Sequence, residues 1–407
     1  MKKNAVKNSI GAIALASVMT MSMGTPVFAA EYGTAIDGTK TTTFDKYLVM
    51  DAQAEVPNAS FTYAVTAGTA KAYNVADKKF EILAGVDADK VTMAGVGSNV
   101  ANTITYTQGD ATLNDENALV KDYNNATEKY AKKTAMLDFS ACKFTEPGIY
   151  RYIVTESGTN QGVTNDADAT RVVDVYVNDA SDASGNKLTI ASYVLHSNAD
   201  DAPDVSLGEN NGSAGTYVGT KSQGFTNSYD TSDLSIKKEV SGNQASRDKY
   251  FEFTVNITGA VPGTVYDVDL TKADATTQSN AATITANENK TNPATLTVGE
   301  DGTVTQKFYL AHGQEIKIQG IAKDSKYEVT ENAEDYKSTA AGVTDYTDAA
   351  NGTVVSTDLK TSYLNTRDGV IPTGVIMTVA PFAAVTLLGG AGVVTMVMKK
   401  KKSSEEE

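Results

Sequence analysis

Short runs of alternating apolar and polar residues recur along most of this chain. They stand at 61–65, 149–154, 171–177 and 188–195, and again at 251–257, 303–309 and 316–318. A period of two places every second side chain on one face of a β-strand. Turn-forming clusters, Asp182-Ala183-Ser184-Gly185-Asn186 and Gly299-Glu300-Asp301-Gly302, separate some of these runs. Between the two ends of the chain no long 3.6-residue apolar period occurs, and 20 tyrosines against 8 prolines suit strands. The pattern predicts an all-β chain of tandem immunoglobulin-like β-sandwiches.

The two ends break that pattern. Residues 1–30 begin with Lys2, Lys3 and Lys7, continue through an apolar core at 10–23, and offer small residues for cleavage at Val27-Phe28-Ala29 or Phe28-Ala29-Ala30. Those are the three parts of a secretory signal peptide. At the other end, Ile371-Pro372-Thr373-Gly374 precedes an uncharged apolar run, 375–398, which Lys399, Lys400, Lys401 and Lys402 close. The run is long enough to cross a bilayer as one transmembrane helix. Its flanking lysines hold that end in the cytoplasm, so the chain before it lies outside the cell.

Pro-Thr-Gly, an apolar helix and a basic tail, in that order, resemble the sorting signal of sortase-processed proteins of Gram-positive bacteria. By that resemblance a sortase cuts between Thr373 and Gly374 and passes the Thr373 carboxyl to an amine. Nothing separates Pro372 from Thr373, which is similar to the compact form used by some pilus-building sortases. A plain membrane anchor is the alternative.

Charge and rare residues narrow the function classes. Removing the three lysines of 1–30, and four lysines against three glutamates from 374–407, moves the formal charge from −15 to −19. So acidic a surface repels nucleic acid, which excludes it as a partner. The single cysteine, Cys142, forms no intrachain disulfide, although export would permit one. His196 and His312 are the only histidines, too few for a histidine-rich metal site, and each reads as an ordinary surface or strand residue. No metal, no cofactor and no enzyme activity are expected. Covalent reinforcement has to come from another chemistry.

One order of three segments occurs twice. Phe44-Asp45-Lys46-Tyr47-Leu48 is followed by Tyr152-Ile153-Val154-Thr155-Glu156 and then Phe225-Thr226-Asn227-Ser228-Tyr229. Leu234-Ser235-Ile236-Lys237-Lys238 is followed by Tyr327-Glu328-Val329-Thr330-Glu331 and then Tyr363-Leu364-Asn365. The expected boundaries are a leader at 1–30, a first sandwich at 31–230, a second at 231–368 and the sorting signal at 369–407. In each segment the Lys, Glu or Asn shares a strand face with apolar or aromatic residues at i±2. Burying such groups is costly unless they are partnered.

Together these groups can make a bond. A neutral lysine amine attacks the side-chain amide of asparagine, expels ammonia and leaves an isopeptide crosslink. Burial lowers the lysine pKa and raises that of a glutamate. The neutral amine is then a nucleophile, while the protonated Glu can hydrogen-bond the asparagine oxygen and shuttle protons. Folding supplies the proximity.

These sets resemble the spontaneous isopeptide-forming, CnaB-type domains of the streptococcal major (backbone) pilin family. The likeness includes Leu-Ser-Ile-Lys-Lys-Glu-Val-Ser-Gly at 234–242, Phe-Thr-Glu-Pro-Gly-Ile-Tyr-Arg-Tyr at 144–152 and the terminal Pro-Thr-Gly. It implies Lys46–Asn227 with Glu156, and Lys238–Asn365 with Glu331, the glutamates acting as single-turnover proton shuttles. Lys237 lies on the opposite face and ranks second. The resemblance further implies a backbone subunit that a sortase polymerises through Thr373. Its partners would be identical subunits, minor pilins and peptidoglycan, with a possible host ligand. The acceptor amine falls roughly at Lys221, with Lys143 and Lys249 as competitors, because the family's Tyr-Pro-Lys-Asn motif is absent. The location would be the cell wall or a surface pilus, reached from a membrane-held precursor. A monomeric sortase-anchored adhesin that binds host protein or glycan is the second class of function.

Overall fold

A computed structural model describes residues 36–75, 78–203, 205–210, 213–217, 221–278, 283–287 and 290–370. The leader at 1–30, the sorting residues Ile371, Pro372, Thr373 and Gly374, and the apolar run 375–398 lie outside the described residues.

The described chain is built of strands; its one helical element is the three-residue 3-10 turn Ala88–Lys90. Residues 36–229 form two facing sheets. One joins, in order, Ile36–Gly38, Leu188–His196, Thr170–Asp179, Gly148–Ser157, Ala59–Ala67 and Thr103–Tyr106, with the hairpin Lys71–Val75 and Lys78–Ala84 alongside. The other joins Val163–Thr164, Gly224–Tyr229, Thr41–Asp51, Glu128–Asp138 and Thr92–Met93, with Thr112–Leu113 beside Glu128–Asp138. In this second sheet Gly224–Tyr229 runs parallel to Thr41–Asp51, pairing Phe225 with Lys46 and Asn227 with Leu48.

From residue 231 the plan repeats. Thr231–Ser241 lies between Glu315–Ala322 and Leu359–Thr366, and Phe251–Thr258 lies between Val304–Leu310 and Lys326–Asn332 in the facing sheet. Thr231–Ser241 and Leu359–Thr366 are again parallel, pairing Lys238 with Tyr363 and Val240 with Asn365. Phe251, Phe253, Val255 and Ile257 are buried while the residues between them are half-buried, the alternation expected of a one-sided strand. Each sandwich encloses its own apolar core, one around Leu48, Phe61, Tyr152 and Phe225, the other around Ile236, Phe253, Val329 and Phe308.

Asp230 alone separates Gly224–Tyr229 from Thr231–Ser241. The junction is packed rather than loose. Asp230 N–H donates to Gly162 O, Thr231 Oγ1 to Asp51 Oδ2 and Gln161 Nε2 to Lys323 O, at 2.7–2.8 Å. Val261 and Ala322 of the second sandwich are buried against the core of the first.

Candidate crosslinking sites

Lys46 is fully buried although it carries an amine, because its strand places Phe44, Lys46 and Leu48 on one inward face. Its Nζ sits 4.3 Å from the centre of the Phe61 ring. From the facing sheet, Glu156 approaches it: Nζ to Oε1 is 3.0 Å and to Oε2 2.8 Å. Asn227, on the parallel neighbour strand, donates from Nδ2 to the same Glu156 Oε1 at 2.8 Å. Tyr63 Oη donates to Glu156 Oε2 at 2.6 Å. One carboxylate oxygen therefore touches both the attacking amine and the nitrogen that would leave.

The second sandwich repeats this arrangement. Lys238 is fully buried, its Nζ 4.5 Å from the centre of the Phe251 ring and 2.7 Å from Glu331 Oε1. Asn365 Nδ2 donates to that same Oε1 at 3.0 Å. Ser338 Oγ, on an exposed strand, donates to Glu331 Oε2 at 2.7 Å, where Tyr63 serves in the first site. Lys237 points away, its Nζ 5.1 Å from the centre of the Tyr346 ring.

Burial is the largest influence on both amines. It pushes Lys46 down to about 8, against the opposing pull of Glu156. It pushes Lys238 down to about 8 as well, against its hydrogen bond to Glu331. An amine in that range is uncharged far more often at neutral pH than a solvent-exposed lysine.

The structure also shows groups that the sequence reading did not single out. The sequence reading aims the glutamate at the asparagine oxygen, but in both sites the glutamate accepts from Nδ2 instead. In the first site the oxygen is already taken: the backbone N–H of Asp166 donates to Asn227 Oδ1 at 3.0 Å. Asn165 Oδ1 accepts a second bond from Nδ2 at 3.1 Å. Arg171 holds Asp166 from the side, Nη2 to Oδ2 at 2.6 Å, and lies over the Phe225 ring. A signal for Arg171 was present, since it shares the inward face of Val173, Val175 and Val177. Nothing in sequence marks the Asp166 backbone.

Gly224 opens the asparagine strand at φ +151°, and a Cβ there would fall 1.7 Å from Asp45 O. Only glycine lets the strand enter so close to its neighbour.

Lys221 is exposed and bridges, antiparallel, to His196. Lys143 is exposed too, while Lys249 pairs with Glu334. His196 ends its strand, yet it is fully buried, with Nε2 3.2 Å from Asp174 Oδ2; Asp174 in turn grips Arg151 through two contacts of 2.7 Å. Among the described residues no group of three or more His, Cys, Asp or Glu side chains is placed to hold a metal ion.

Residues 36–230 match the model of the Spy0128-like isopeptide containing domain. Residues 232–367 match a domain of unknown function (DUF7601). A curated pilin of Streptococcus pyogenes serotype M1 is 26% identical over 382 residues, covering 88% of this chain and 90% of its own length. Along most of its length this chain is similar to a streptococcal pilin. Two solved pilins also align with it. The major pilin from S. pyogenes is 21% identical, aligning over 82% of this chain and 100% of its own with a TM-score of 0.49. For the T3.2 major pilin of that species the figures are 21%, 81%, 100% and 0.46.

Proposed function

We propose that this pilin relative is the backbone subunit of a covalent surface pilus and that each sandwich staples itself. In the reaction, Glu156 takes a proton from Lys46, and the freed Nζ lone pair attacks Asn227 Cγ. The proton passes to Nδ2, the Cγ–Nδ2 bond breaks and ammonia leaves; Nζ gives its second proton to Glu156, which hands it to the departing ammonia, and a neutral Nζ–Cγ amide remains. Lys238, Glu331 and Asn365 follow the same course. The observation that carries this reading is the repeated contact of one carboxylate oxygen with both nitrogens at a buried site. A buried lysine–carboxylate pair is a poor stabiliser in itself, so two matched sets point to a chemical use.

Polymerisation follows from the sorting residues. A sortase cleaves between Thr373 and Gly374 within Ile371-Pro372-Thr373-Gly374 and joins Thr373 to Lys221 of a neighbouring subunit. Export by the leader and final attachment to peptidoglycan put the fibre on the cell surface. Wall extracts boiled in detergent and blotted for this chain test the assembly. A ladder of high-mass multimers that vanishes with the pilus sortase is the expected result. A single band whether or not the sortase is present returns the chain to the adhesin class.

A further inference from the structure

The two sites match at the carboxylate and differ at the carbonyl. Asn227 Oδ1 accepts the Asp166 backbone N–H, whereas Asn365 Oδ1 is buried with no hydrogen-bond partner among the described residues. Attack on Cγ moves the carbonyl π pair onto Oδ1, so a fixed donor at that atom favours the transition state over the starting amide. Backbone donors at such positions form oxyanion holes.

The donor is held by a built-in clamp. Asp166 is buried, and its Oδ2 accepts from Arg171 Nη2 at 2.6 Å and from Thr226 N–H at 2.9 Å. Arg171 reaches on to Gly224 O from Nε at 2.7 Å, and to Asp168 O and Thr170 O from Nη1 at 2.7 and 2.9 Å. The guanidinium, at Gly224, and the Asp166 carboxylate, at Thr226, thus tie the Asp166 loop to both ends of the short stretch immediately before Asn227.

We propose that the Asp166 backbone N–H is an oxyanion donor for closure of the Lys46–Asn227 bond, that Arg171 is its positioning residue, and that the Lys238–Asn365 bond closes without such a donor. This rests on the crosslinking reading above. As Nζ attacks, Oδ1 gains charge against the Asp166 N–H. The pair returns to the carbonyl as the Cγ–Nδ2 bond breaks and ammonia carries off the shuttled proton. The donor neither gains nor loses a proton.

The test follows bond closure in the whole chain made by cell-free synthesis and sampled over time. A brief trypsin treatment restricts the count to folded molecules before denaturation and peptide mass mapping. Asp166→Pro removes the N–H, and the 46–227 bond should then close roughly 10²-fold more slowly or worse, with the 238–365 bond unaffected. Asp166→Ala keeps the N–H but loses the grip of Arg171, so its rate should fall between Asp166→Pro and wild type. Arg171→Gln should match Asp166→Ala, and the double variant should be no slower than either. If Asp166→Pro does not fold, an amide-to-ester replacement of the 165–166 linkage removes the same donor and should show the same loss. Equal rates for Asp166→Pro and Asp166→Ala, or equal slowing of both bonds, overturns the proposal. Absence of both crosslinked peptides from wild type would instead sink the crosslinking reading itself.

Discussion

Lys46 and Asn227 lie diagonally across one pair of parallel strands: the residue paired with Lys46 is Phe225, and Asn227 is two positions beyond it on the same face. Lys238 pairs with Tyr363, and Asn365 is again two positions on. The diagonal fits the chemistry. Directly opposed side chains stand side by side, while the i+2 neighbour is near enough for a long lysine to reach. In each sandwich the joined strands are parallel neighbours, which no short hairpin could connect. A crosslink at each site would therefore tie together chain ends that only the fold brings close.

Loss of one staple should be costly. The loops that the two proposed bonds would close are 181 and 127 residue steps, from 46 to 227 and from 238 to 365. Chain entropy assigns each roughly 5 kcal/mol. By intact mass Asn227→Ala should fall short of its calculated mass by one ammonia, where wild type falls short by two. Calorimetry should show its first sandwich melting roughly 10–20 °C lower, with the second little changed.

Glu156→Gln should abolish the first bond and leave the second intact. The amide cannot take the proton from Lys46, although it has nearly the shape of the carboxylate. Peptide mapping would show the 238–365 crosslink alone. Formation of the 46–227 bond at the wild-type rate would remove Glu156 from the mechanism.

Bond closure should depend on pH through the lysines. With Lys46 and Lys238 pushed down to about 8 by burial, each is mostly protonated below that value and mostly neutral above it. The proton that Glu156 or Glu331 takes from its lysine is the one that Nδ2 needs, so the reacting pair holds one proton, and closure in freshly synthesised chain should be nearly level from pH 6 toward 8 and slow above it, by up to about tenfold per unit. A lysine that reacted without the shuttle would instead accelerate toward pH 10. A rate that keeps rising above pH 8 contradicts the shuttle.

The two staples should answer differently to force. When the chain is pulled between residues 221 and 370, the load passes along 221–238, crosses the second bond and leaves from 365. Residues 239–364 are bypassed. Lys238→Ala should lengthen by roughly 400 Å in single-molecule extension, at about 3.4 Å per freed residue. Lys46→Ala should not lengthen comparably, because residues before 221 hang outside the load path.

Much of the fold and of both sites is legible in the sequence. Period-two alternation carried the all-β assignment, since a strand with one buried face has no other way to be written. Repetition of Lys, Val-Thr-Glu and aromatic-x-Asn segments gave the six side chains that the structure brings together. The groups that escaped notice act through backbone or across sheets. The Asp166 N–H belongs to a loop with no periodicity, and its value depends on where Arg171 anchors it. Tyr63 was hidden for another reason, because an inward tyrosine reads as core until its hydroxyl is seen on Glu156. His196 reads in sequence as an ordinary surface or strand residue; the surface half of that expectation fails, because packing sets it fully buried beside Asp174.

The central claim is that the folded chain condenses two buried lysines with two asparagines unaided. Tandem mass mapping of the purified chain, produced without any sortase, tests it most directly. The account predicts branched peptides joining position 46 to 227 and position 238 to 365, with an intact mass short by two ammonia molecules. Recovery of all four positions in separate linear peptides, at full mass, would contradict it.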